Sequence, residues 1–182
     1  MTGKAYWQKL EKIGWIDYIP KERREESRSQ LEKNLGGEVP EWAFLALTQA
    51  GFDSETIDGI GPDELSYHSI LKELAKDSNG VFRPTNIKDE LVDRGKSIKV
   101  TFRHTGKTFS CTVPFESDYF QLGVLDLVNE ALESCQAQER FIPLPAVDQM
   151  LNLVFVPPGI YQKAVAQKLI PEQDAFAEGV EE

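Results

Sequence analysis

Two histidines, two cysteines and a surplus of carboxylates are the groups with which this chain could do chemistry. Histidine is the usual general base and a common metal ligand. His68 follows Tyr67 in a stretch of helical spacing, and His104 ends an extended run beside a turn. Neither has a second histidine or a carboxylate at metal-ligand spacing, so both read as structural residues. Cys111 and Cys135 fall at apolar-facing positions without metal-site spacing and read as reduced core thiols. A single bridge between them is the alternative, which a reducing compartment disfavours. No Gly-x-Ser-x-Gly elbow occurs. Gly106-Lys107-Thr108 ends like a phosphate-binding loop but lacks the upstream glycine and sits between two extended runs, so it reads as a turn. Thirty acidic side chains make carboxylate pairs inevitable, and none is singled out as an acid–base couple. The residues therefore point to a protein that is not an enzyme and has no catalytic, cofactor or metal site. An enzyme of unrecognised type is the contrary reading.

The carboxylates carry a second meaning, as surface charge. The 182 residues have a net charge of −10, which repels a polyanion and disfavours nonspecific nucleic-acid binding. Residues 41–96 hold eleven acidic side chains against six basic ones, and residues 172–182 hold five against none. Glu55, Asp58, Asp63 and Glu64 form the densest group and are the candidate partner-binding residues, fitted to a basic protein surface. The bland reading of the same group is solubilising charge. Apolar residues make up 41% of the chain, enough to build a core. No window approaches the ~20 apolar residues of a membrane-spanning helix. Residues 1–9 have no apolar stretch of signal-peptide length, so the expected location is cytoplasmic, with no membrane partner.

The elements that must position these groups change type near residue 80. Before it, Tyr6, Trp7, Leu10 and Ile13 follow helical spacing up to Gly14. Residues 21–35 are helix-compatible but almost wholly polar, which predicts a solvated helix. Pro40 to Gly51 reads as a helix with Trp42, Leu45, Ala46 and Ala50 inward, and Asp53 as the cap of a short helix through Ile57. Pro62 opens another, with Leu65, Ile70, Leu71 and Leu74 inward, stopped at Asn79-Gly80. After residue 80, Ile98, Val100 and Phe102 alternate with polar residues, as do Phe109, Cys111 and Val113. A Thr105-Gly106 turn pairs Phe102 with Phe109, Val100 with Cys111 and Ile98 with Val113, which puts every apolar side chain on one face. Ser117 or Asp118 then caps a helix striped by Leu122, Leu125, Val128, Leu132 and Cys135. Two extended runs follow, at 140–142 and 151–156. A last helix starts at Pro157-Pro158 and turns Tyr161, Ala164, Val165 and Leu169 inward. The expected fold is α+β: a helical section over residues 1–80, and an antiparallel sheet of about four strands in ββαββα order over 81–171, with helices on one face. The two parts are expected to share one core, and residues 172–182 read as an acidic tail.

Two resemblances bear on function. Ile57-Asp58-Gly59-Ile60-Gly61-Pro62 resembles the turn of helix-hairpin-helix DNA-binding modules. There, glycines let backbone N–H groups approach a phosphate at a helix N-terminus. Here Asp58, Asp63 and Glu64 surround that nest with negative charge, and Leu65 replaces a small residue. The second half of the chain resembles the immunity proteins that bacteria encode beside polymorphic toxins. Residues 80–87, the 99–113 hairpin with its Thr-Gly-Lys turn, Val128-Asn129, Arg140-Phe141 and the 153–156 run carry that likeness. It implies a stoichiometric inhibitor of a cognate toxin, such as a nuclease with a basic groove. The alternatives are a nucleic-acid-binding protein using the Gly59–Gly61 turn, or a regulatory or scaffold protein using the sheet or the charged helix 21–35.

Overall fold

A computed structural model describes residues 1–33, 41–53, 57, 60–61, 66–115, 120–145 and 150–172. It is mixed α and β, and its described residues form five α-helices and two three-stranded antiparallel sheets. The chain divides into two compact units: residues 1–51 with 142–182, and residues 52–141. The second is thus an insertion into the first. The composition shift at residue 80 marks a change of element type within the inserted unit.

In the first unit, helix α1 (Gly3–Ile13) starts at Thr2, whose Oγ1 accepts the Ala5 N–H, and ends at Gly14 in a left-handed conformation with φ 82°. Its Tyr6, Trp7, Leu10 and Ile13 are buried, as the spacing predicts. Helix α2 (Lys21–Lys33) buries only Ser27 and Leu31. It is not simply solvated. The Arg23 guanidinium donates to the Thr48 and Gln49 carbonyls at 3.1 Å each, and Arg24 donates to the Ile19 and Asp17 carbonyls. A Cβ on Gly3 would stand 1.9 Å from the Leu31 carbonyl oxygen, so the two helices touch backbone to backbone there.

Residues Glu41–Leu47 form a 3-10 helix, not the expected α-helix, and Ala43, Phe44 and Leu47 are its buried residues. Strand β1 (Ala50–Asp53) follows, where a helix cap at Asp53 was expected. β1 pairs with β6 (Met150–Val156), whose other neighbour is β5 (Arg140–Pro143). The late strands therefore do not join the central hairpin in one four-stranded sheet. Leu153, Val154, Phe155 and Val156 are all buried, so β6 is a covered central strand without polar alternation. Helix α5 (Pro158–Ala166) has proline at its first position and stops earlier than Pro171. Lys168, at φ 56°, closes it with Lys168 N–H to the Val165 carbonyl and Leu169 N–H to the Ala164 carbonyl.

In the second unit, helix α3 (Tyr67–Asp77) is capped by Ser66 and ends at Asn79 and Gly80, both left-handed. Strands β3 (Ser97–His104) and β4 (Lys107–Pro114) pair Ile98 with Val113, Val100 with Cys111 and Phe102 with Phe109, the register that alternation dictates. β2 (Thr85–Val92) joins β3 on its free side through a bulge between Thr85 and Lys88. This strand escapes the sequence reading because its inward residue opposite Val100 is Asp89 and because Asn86 takes φ 50° at the bulge. Bulges and inward charges are common protections of a sheet edge. Helix α4 (Leu122–Ser134) buries Val124, Leu125, Leu127, Val128, Ala131 and Leu132. Leu122, expected in the stripe, is 53% exposed. α3 and α4 cover the inner face of the β2–β3–β4 sheet, and the polar face is left to water.

Candidate functional site

The hairpin alternation sends His104 inward with Ile98, Val100 and Phe102, and the side chain is 1% exposed. Its Nδ1 accepts the Arg83 backbone N–H at 3.2 Å, while Nε2 lies 3.4 Å from the Cys135 sulfur. A nitrogen that accepts from an amide must carry a lone pair, so in the neutral ring the proton sits on Nε2 and points at sulfur. Cys135 in turn donates to the Leu132 carbonyl at 3.1 Å. A nucleophile–base couple needs the reverse wiring, with a ring lone pair facing the thiol. The pair instead ties the start of β2, the end of β3 and the end of α4 together. The Phe82 ring packs 5.4 Å from the imidazole and edge-on to Phe102.

The other convergence of polar groups is around Asp89. Its Oδ2 accepts the His68 N–H at 3.0 Å, in the first turn of α3, and Oδ1 accepts the Gly61 N–H. Ser66 Oγ donates to the Gly61 carbonyl at 2.7 Å and accepts the Ser69 N–H. Gly61 has φ 77°, the left-handed conformation that favours glycine. In the resemblance to DNA-binding turns, these N–H donors would face a phosphate. Here Asp89, buried at 6% exposure, already occupies two such donors. No sequence signal pointed to this residue, because an inward aspartate in a charged edge strand looks like surface. His68 is half-buried, and its backbone N–H is the group used.

Glu55, Asp58, Asp63 and Glu64 lie outside the described residues, as do Gly59, Ser117, Asp118 and the tail beyond residue 172. The described acidic surface includes a further line. Asp126, Glu130 and Glu133 are exposed on α4, which has no lysine or arginine of its own, and Leu122 is exposed at its first turn. None of the three carboxylates has an ion-pair partner among the described residues, where the ion pair present is Arg28–Glu32. The spacing puts them on one side of the helix. The core stripe was the feature read from this segment, and its complement is where these acids lie.

Cys111 and Cys135 are both free and half-buried. Burial pushes the Cys111 thiol up to about 11 and the Tyr67 hydroxyl up to about 12. Tyr67 Oη accepts the Gln121 N–H at 3.0 Å, at the start of α4. Among the described residues no group of histidine, cysteine and carboxylate side chains is assembled to hold a metal. None of their helices is long and apolar enough to cross a membrane. No known protein family, curated protein or solved structure matches this chain.

Proposed function

We propose that this protein works by stoichiometric binding to a basic protein surface, and that its partner is a toxin domain it neutralises, as an immunity protein does. One observation carries the reading: among the described residues, a line of carboxylates on α4 faces water without an ion pair. The net charge is −10, and the line Asp126, Glu130 and Glu133 stands on α4 without a cation beside it. An acidic face of this kind steers a positively charged groove into register and speeds association. Glu55, Asp58, Asp63 and Glu64, which lie outside the described residues, are proposed as further partner contacts on their charge alone. Against catalysis by the described groups stands the wiring of His104 and Cys135, which is spent on holding three elements together. The DNA-binding alternative is disfavoured by Asp89, which engages the Gly61 and His68 N–H groups that a phosphate would need.

The test is reconstitution with a purified basic toxin domain captured by the tagged protein. A one-to-one complex that protects cells from that toxin is expected. Reversing Asp126, Glu130 and Glu133 to lysine should slow association by about tenfold or more at low salt. A protein that captures no basic domain, or whose complex ignores both salt and charge reversal, would sink the proposal.

A further inference from the structure

The outer face of the β2–β3–β4 sheet has the opposite character from the rest of the chain. Its exposed cations are Lys88, Lys99 and Arg103, opposed there by Glu90. The pairing registers arrange them in rows. Lys99 lies between Thr112 and the carboxylate-bearing Glu90, and Arg103 between Thr108 and Thr85. Lys88 lies opposite Thr101, midway between those two, and Thr101 faces Ser110 on the far strand. Successive rows are two residues apart, about 6.8 Å along the strands, and each holds one cation and at least one hydroxyl.

That spacing is the repeat of another extended chain. We infer that this face docks an extended acidic segment of a partner protein, with carboxylates on alternate residues, each meeting one row. The cations give charge complementarity. Nucleic acid fits less well. The two aromatic residues of the hairpin, Phe102 and Phe109, are both buried on the inner face, so no base can stack on them. This surface is separate from the acidic one proposed for the toxin, and its test does not depend on that reading.

The probe is a labelled dodecapeptide of alternating glutamate and threonine, compared by fluorescence anisotropy with a block peptide of the same composition. The alternating peptide should bind more tightly at low salt and be released at 1 M salt, where screening reaches down to ~3 Å. The triple variant K88E/K99E/R103E should weaken binding by about tenfold or more. These side chains point to water, and the milder Lys99→Met variant with an unchanged circular dichroism spectrum controls for folding. Equal binding of the two peptides, no binding, or binding retained in the triple variant would overturn the inference. So would tighter binding of an oligonucleotide, or self-association abolished by the same variant.

Discussion

Gln49 is 8% exposed and uses both ends of its amide. Nε2 donates to the Tyr18 carbonyl at 2.7 Å and Oε1 accepts the Phe155 N–H, while the backbone N–H goes to the Leu153 carbonyl. Replacing it with leucine removes the side-chain hydrogen bonds to the Phe155 N–H of β6 and to the Tyr18 carbonyl. Gln49→Leu should therefore lower stability by about 1–3 kcal/mol, read as a shifted urea midpoint with unchanged slope. A second residue-scale expectation concerns alkali. The Cys111 thiol ionises at about 11 in the folded chain against an ordinary 9.0, because burial opposes the charge. The unfolded chain thus releases this proton first, and stability falls as pH rises from about 9 to about 11. The thiol is only half-buried, so the loss is well below the ~1.4 kcal/mol per pKa unit of a fully desolvated group. Cys111→Val should flatten the stability profile over that window. The tyrosines Tyr6, Tyr67 and Tyr161, also pushed up by burial, keep the decline at higher pH in both proteins. An unaltered profile in the variant would remove Cys111 as its source.

At the scale of elements, the hairpin offers the sharpest contrast. Val100 is fully buried, and Thr101 one residue later faces outward and meets Ser110 Oγ at 2.9 Å. Val100→Asp should unfold the inserted unit, since an unpaired carboxylate in an apolar interior costs several kcal/mol. Thr101→Asp should shift stability by roughly 0.5 kcal/mol. Reversed outcomes, read by thermal melts, would mean a one-residue slip of the whole strand. The hairpin was legible because period-two alternation and a Thr-Gly turn agree with each other. Strand β2 was not, since its inward position is held by Asp89, whose charge is satisfied by N–H groups distant in sequence. The 3-10 segment at Glu41–Leu47 was misread as an α-helix because Trp42, Leu45, Ala46 and Ala50 fit a 3.6-residue period, whereas Ala43, Phe44 and Leu47 are buried, Leu45 and Ala46 are only partly covered, and Ala50 belongs to β1.

For the whole molecule, the first unit is closed by the two ends of the chain. Ala164, Leu169 and Ile170 share one buried cluster with Tyr6, Leu10 and Trp15, and Tyr6 Oη donates to the Leu169 carbonyl. A chain ending at Val156 should lose the near-ultraviolet signal of its buried tryptophans and bind a hydrophobic dye, as packing fails around α1. Trp7 and Trp15 are that reporter, at 5% and 1% exposure. A truncated chain with native spectra would show that α1 and α2 find a core without the C-terminal elements.

Sequence by itself determined the local features: α1 with its Gly14 stop, the end of α3, the hairpin register, the proline start of α5 and the α+β class. Each rests on forces acting within a few residues, namely apolar period, turn chemistry and caps. Tertiary structure alone decided that β6 leaves the hairpin to pair with β1 and β5, and that residues 52–141 are an insertion. Strand partners come from burial across long chain separations, and an apolar run such as 153–156 suits the centre of any sheet equally well. The same holds for His104 and Asp89. Their residue types invite chemistry, but the direction of their hydrogen bonds, set by backbone groups of other elements, commits them to holding the fold.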